Sequence, residues 1–194
     1  MTEHEPSVYI VGGLPRTGKS TVADRLARDL RISSMETDHI RMLFRATPTS
    51  KIRSDSNLDI AVVTKKLRPR LDCLIESIIN GGSSIVINGE CIDPHMITES
   101  PFRDQIRGCF IGLDDAGQAY DRIRSKTTPN DWTLHTSDDD LKDILNKYAR
   151  RSQALAKTCL ELGLPYFDAS NDFMEAHEKA YELMTQSDPE MQNA

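Results

Sequence analysis

The sequence predicts an α/β fold: a single domain over residues 1–194, with a parallel sheet of about five strands and helices on both faces. Short apolar runs alternate with segments whose apolar residues recur every three or four positions, the pattern of parallel strands joined by right-handed helical crossovers. The runs are apolar at consecutive positions, as strands covered on both sides are. A length of 194 residues with 38% hydrophobic side chains suits one core and argues against a second full domain.

Val8-Tyr9-Ile10-Val11 is the first strand, rich in β-branched and aromatic residues and ended by Gly12-Gly13. Val22, Leu26 and Leu30, with Ala23 and Ala27 beside them, then mark one face of a helix whose other faces carry Asp24, Arg25, Arg28 and Asp29. Ile32 to Met35 reads as a second short strand running into Glu36-Thr37-Asp38, and His39 to Phe44 as a short helix. Arg45 to Asn57 is polar, contains Pro48 and reads as a mobile or inserted segment.

Leu71, Leu74, Ile75 and Ile78 define a helix that Pro69 starts or kinks and Gly81-Gly82 ends. Ser84 to Asn88 is the third strand and Gly108 to Leu113 the fourth, followed by a helix from Asp115 to Arg124. A polar stretch, Ser125 to Thr136, holds Pro129 and the single tryptophan, Trp132. Ser137 caps the next helix, with Asp140 in a capping-box-like position, and Leu141, Ile144, Leu145, Tyr148, Leu155, Ala156 and Cys159 form its stripe. Gly163 and Pro165 stop it. Tyr166-Phe167-Asp168 is the last strand, and Phe173, His177, Ala180 and Met184 line the last helix. Residues 1–7 and 187–194 read as flexible tails.

With 24 basic and 30 acidic side chains the net charge is −6, which argues against a broad basic face that would hold long nucleic acid. No apolar run approaches the ~20 residues needed to span a bilayer. The N-terminal residues lack the basic and apolar regions of an export signal, so a cytoplasmic location is expected. Cys73, Cys91, Cys109 and Cys159 form no CxxC pair and have no histidine at zinc-ligand spacing, so they read as reduced thiols.

Gly13-Leu14-Pro15-Arg16-Thr17-Gly18-Lys19-Ser20 matches the phosphate-binding, or Walker A, pattern GxxxxGKS at every defined position. Chance produces this in roughly one chain of this length per hundred, so its position between the clearest strand and an amphipathic helix carries the inference. Glycines let backbone N–H groups wrap a β-phosphate, and the helix N-terminus adds partial positive charge. Lys19 can reach the β- and γ-phosphates, Ser20 can offer its hydroxyl to Mg²⁺, and Thr21 can meet the α-phosphate.

On these residues the chain resembles the P-loop kinases of nucleotides and small metabolites, such as adenylate, shikimate and gluconate kinases and the kinase domain of phage polynucleotide kinase. The resemblance runs from Val8 to about Met184. It departs at Arg16 and Thr17, where small residues are common, which leaves the loop rim more basic. It implies a three-layer P-loop fold with a helical lid over residues 125–137, ATP with Mg²⁺, and γ-phosphoryl transfer to a hydroxyl or phosphate of a small-molecule acceptor. The oligomeric state is open.

Asp38-His39-Ile40-Arg41 lies just beyond the second strand, where strand ends of an open α/β sheet face the ligand crevice. A carboxylate there can take the acceptor's hydroxyl proton and aim the oxygen at the γ-phosphate, so Asp38 is the general-base candidate. The resemblance implies that Arg41 binds an acidic group of the acceptor. The third strand ends Asn88-Gly89-Glu90 without the usual Walker B aspartate, leaving Glu90 or Asp93 as the carboxylate candidate. Arg122, Arg124 and Lys126 cluster just before the polar segment Thr127 to Thr136; the resemblance makes Arg122 and Arg124 lid arginines that neutralise charge during transfer, with Arg150 or Arg151 as further contributors. It also implies that Asp168-Ala169-Ser170-Asn171 runs beneath the adenine ring, through backbone groups. Trp132 either covers the substrate or anchors the lid. His39, His95, His135 and His177 show no spacing that demands catalysis or metal.

Two alternatives compete. A 5′-hydroxyl polynucleotide or a nucleotide sugar, the latter as in zeta-type toxins, could be the acceptor on the same fold. A nucleotide-dependent switch would use Asp114-Asp115-Ala116-Gly117 as DxxG, but Asn146-Lys147-Tyr148-Ala149 lacks the aspartate of guanine-reading NKxD.

Overall fold

The computed structural model describes residues 8–46, 60–125 and 131–186. The tails, most of the Arg45 to Asn57 segment, and Lys126 and Pro129 in the lid stretch lie outside the described residues. Five parallel strands form one sheet: β1 (Val8–Gly13), β2 (Ser33–Glu36), β3 (Ile85–Gly89), β4 (Ile106–Gly112) and β5 (Tyr166–Asp168), in the order β2-β3-β1-β4-β5. The helices are α1 (Lys19–Leu30), α2 (Thr37–Ala46), α3 (Ile60–Asn80), α4 (His95–Thr98), α5 (Ala116–Ser125), α6 (Asp138–Leu162) and α7 (Phe173–Thr185). Short 3₁₀ turns occupy Arg103–Gln105 and Trp132–His135.

Strand alternation divides the core into two layers. Val8 and Ile10 of β1, Ile85 and Ile87 of β3, and Ile106 and Phe110 of β4 pack against Leu67, Leu71 and Ile75 of α3. Val11, Val86, Cys109 and Ile111 point the other way, against Val22, Ala23 and Leu26 of α1 and Ala176, Ala180 and Met184 of α7. Complete burial of a side chain such as Leu26 contributes about 1.5–3 kcal/mol. A third cluster joins Ala119 and Ile123 of α5 to Leu141 and Leu145 of α6.

Ser137 caps α6 as expected: its hydroxyl accepts from the Asp140 N–H at 3.2 Å and donates to the Asp140 carboxylate at 2.6 Å. Several details differ from the sequence reading, and three bear on the site. α2 begins at Thr37, so Asp38 stands in a helical first turn rather than on a strand extension. α3 begins at Ile60, which puts Pro69 inside it, where the ring removes one helical hydrogen bond. In the lid stretch the described residues form a single 3₁₀ turn. No helix among the described residues is long and apolar enough to cross a membrane.

Candidate active site

The loop from β1 to α1 lies at the C-terminal end of the central strand, flanked by β3 and β4, where the crossovers leave a crevice. Gly13 (φ 137°) and Gly18 (φ 79°) turn the chain through conformations that L side chains resist, and Arg16 adopts φ 66°. The N-terminus of α1 has no side-chain cap and no acidic residue in its first turn. Its free N–H groups and macrodipole are therefore available to an anion.

Lys19 Nζ donates to Leu14 O at 2.8 Å, and Thr17 Oγ1 donates to the same oxygen at 2.8 Å. Burial holds the Lys19 ammonium below the ordinary lysine range; the negative charges of Glu90, Asp38 and Glu36 oppose that shift. Candidates from three elements thus converge on one amine: Lys19 at the start of α1, Asp38 at the start of α2 and Glu90 after β3.

Asp38 is largely exposed and pairs with Arg41 one turn on, at 3.4 Å. The Arg41 Nε is buried and makes no hydrogen bond. Glu90 is half-buried, and Arg151 of α6 reaches it at 2.7 Å. Arg150, its neighbour, is exposed. Asp93 is engaged elsewhere, accepting from the His95 N–H at 3.0 Å and facing Arg68 at 3.5 Å.

Ser20 Oγ donates to Asn88 Oδ1 at 3.3 Å. Asn88 is buried, and its Nδ2 has no hydrogen-bond partner. At the end of β3, where a Walker B aspartate is usual, a neutral amide therefore meets the Ser20 hydroxyl. With its proton directed at Asn88, Ser20 keeps oxygen lone pairs that would suit a hard cation such as Mg²⁺.

Of the two arginines in the last turn of α5, Arg122 reaches the loop. Its guanidinium donates to Arg16 O at 3.1 Å and to Ala169 O, and lies 4.6 Å from the centre of the Phe173 ring. Burial lowers its proton affinity, with the charge of Arg16 adding to that effect. Arg124 ties the end of α5 to the chain leading into α6, donating to Thr133 O and Thr136 O, each at 2.7 Å, and pairing with Asp138. Arg16 pairs with the buried Asp131, which also accepts from Thr133 Oγ1 at 2.8 Å, so the loop rim is fastened to the 3₁₀ turn at Trp132–His135.

Sequence reasoning did not single out Asn88, Asp131 or His177 for the site. Asn88 had a readable signal, its place at the end of an apolar strand. Asp131 lay within a polar stretch, and His177 looked like one member of a core stripe. The switch motif is accounted for structurally: Asp115 accepts from the N–H groups of Gly117 and Gln118 at the start of α5, and Asn146 and Lys147 lie within α6. Asp168 accepts from the Asp114 N–H at 3.0 Å and from Ser170, so its carboxylate shapes the loop after β5.

No family model matches the chain, and no curated protein matches its sequence. Solved structures do match its fold. A gluconokinase from Sinorhizobium meliloti 1021 superposes with a TM-score of 0.56 at 13% identity, covering 93% of each chain. A shikimate kinase from Bacteroides thetaiotaomicron gives 0.51 at 13%, covering 91% of this chain and 94% of that one. An uncharacterized protein from Eubacterium ventriosum ATCC 27560 gives 0.53 at 14%, covering 92% and 97%. The chain has a P-loop kinase-like fold.

Proposed function

We propose that the protein is an ATP-dependent phosphotransferase that moves the γ-phosphoryl group of Mg-ATP to a hydroxyl of a small anionic acceptor. One observation supports this above the others: an uncapped helix N-terminus and a buried lysine face, across one crevice, a carboxylate paired with an arginine. The first two suit polyphosphate; the second two suit an acceptor hydroxyl beside an acidic group.

Residues 13–21 would hold the triphosphate, with the N–H groups of the loop and of the first turn of α1 around the β-phosphate. Lys19 would exchange its bond to Leu14 O for phosphate oxygens. Ser20 would hold Mg²⁺, which when bound supplies charge neutralisation to the phosphates. Asp38 would accept the acceptor's proton as that oxygen bonds to the γ-phosphorus; the bond to the β–γ bridging oxygen breaks and ADP carries the electron pair away. Arg41 and Arg151 would bind the acceptor's acidic group, with Glu90 holding Arg151 in place. Arg122 would neutralise charge at the transferring group from its seat on the loop. A cytoplasmic location, ATP rather than GTP, and Mg²⁺ belong to this proposal.

ADP release from Mg-ATP tests it, against pooled acceptors: nucleosides and monophosphates, hydroxylated metabolites and antibiotics, nucleotide sugars, and 5′-hydroxyl oligonucleotides. Release above background with one pool, absent in Lys19→Ala, supports the reading and names the acceptor class. Response to no pool, with bound nucleotide controlling capture of a protein partner, would replace it with a switch.

A further inference from the structure

Each carbonyl of the loop segment from Leu14, Arg16 and Thr17 is held by a side-chain donor, and two of the donors come from distant elements. Leu14 O takes Lys19 and Thr17, Arg16 O takes Arg122 of α5 at 3.1 Å, and Thr17 O takes His177 Nε2 of α7 at 2.8 Å. A trans peptide is planar, with its C=O and N–H pointing in opposite directions. A donor that fixes Thr17 O therefore also fixes the direction of the Gly18 N–H, which opens the N-terminus of α1.

His177 is placed for this in a way a packing residue need not be. It is buried, 160 residues away in sequence, and faces Gly18 so closely that a Cβ there would overlap both its ring and Phe173. Phe173, one turn earlier on α7, holds the imidazole at a ring-centroid distance of 3.9 Å, and the Arg122 guanidinium covers Phe173 from the opposite element. Thr17 O can only accept, so Nε2 carries the proton. Burial, with the charge of Arg122 adding to it, keeps the ring below the ordinary histidine range and so favours a neutral imidazole protonated at Nε2.

We propose that His177 is a positioning residue of the phosphate loop: through its Nε2–H bond to Thr17 O it presents the Gly18 N–H to the phosphates, so that α7, outside the site, sets nucleotide affinity. The inference rests on the loop being the nucleotide site. Arg122 and His177 would then act as a pair, fixing the two successive peptides that precede and follow Thr17.

Calorimetric binding of ATP and of ADP to the full chain tests this, with wild type, His177→Leu, His177→Gln and Lys19→Ala. His177→Leu keeps apolar bulk and removes the donor; His177→Gln places an amide N–H at a similar reach. The expected result is a loss of about tenfold or more in affinity for both nucleotides in His177→Leu, the consequence of an unpaired buried carbonyl, and recovery of most of it in His177→Gln. Equal loss in both variants, or unchanged affinity in His177→Leu while Lys19→Ala loses binding, overturns the positioning role and leaves the loop assignment standing. No nucleotide binding by wild type overturns both. Because His177→Leu could fail to fold, ring ¹⁵N correlation spectra of wild type give a second readout, with His177→Gln identifying the signal among the five histidines. A neutral ring protonated at Nε2 is expected; protonation at Nδ1 alone overturns the proposal.

Discussion

The two sides of the crevice are built from different materials. The side proposed for phosphate is backbone: a loop with left-handed residues at Arg16 and Gly18, its carbonyls tied down by Lys19, Thr17, Arg122 and His177, and an uncapped helix end. The side proposed for the acceptor is side chain: Asp38 against Arg41 and Glu90 against Arg151, partly exposed pairs on α2, after β3 and on α6. Main-chain groups are the same whatever the residue, so the first side can be recognised from a few glycines and a lysine. The second can change its chemistry with any single substitution, which lets one fold serve many acceptors.

The comparison can be broken by variants that strike one side only. Lys19→Ala is expected to lower phosphoryl transfer by about a thousandfold or more while the ligand-free protein melts within a few degrees of wild type. Single-turnover ADP formation and a thermal melt check it. Asp38→Asn should cut kcat by about 10²–10⁴-fold with ATP affinity within about twofold, since the proposed role of the carboxylate is on the acceptor. A parallel fall in ATP affinity would mean that the two sides are not separable.

Gly18→Ala attacks the backbone side through stability. A left-handed alanine costs about 1–2 kcal/mol, and overlap with His177 and Phe173 adds about 1–3 kcal/mol, read as a lowered denaturation midpoint. Arg151→Ala attacks the other side more gently. It should raise the acceptor KM about tenfold with the KM for ATP unchanged, the loss expected for one charge-assisted contact.

The smallest effect is the pH dependence of stability. The folded pKa of His177 lies below its ordinary value of 6.5, so the unfolded chain binds more protons below that point. Stability from this group is complete above pH about 6.5 and is lost as pH falls toward the lowered folded value. The charged group facing the ring is Arg122, and Thr17 O holds the opposite nitrogen. His177→Gln should therefore show a shallower decline than wild type in denaturant midpoints measured between pH 7 and 5.

Legibility in the sequence followed the range of the interactions involved. Ser137 announced its helix because a cap acts across three residues, and β1, β3 and β4 stood out because both faces are covered and apolar. The start of α2 at Thr37 was hidden: Thr37 is buried against Gly89 of β3, a contact across the sheet edge that no local pattern encodes. α4 spans four residues, too few to show a helical period. Arg151 could be named only as a possible contributor, since its reach to Glu90 depends on how α6 lies over the end of β3.

What the sequence determined by itself is what neighbouring residues settle among themselves: the alternation of strands and helices, the caps, and a glycine-framed loop that opens α1. What only the tertiary structure decided is which distant groups complete that loop and the crevice beside it. His177 meets Thr17 across 160 positions and Ser20 meets Asn88 across 68, because the parallel crossovers bring the C-terminal ends of β1, β3 and β5 to the same end of the sheet. A hydrogen bond constrains both partners only once packing has brought them within about 3 Å, and packing is a property of the whole chain.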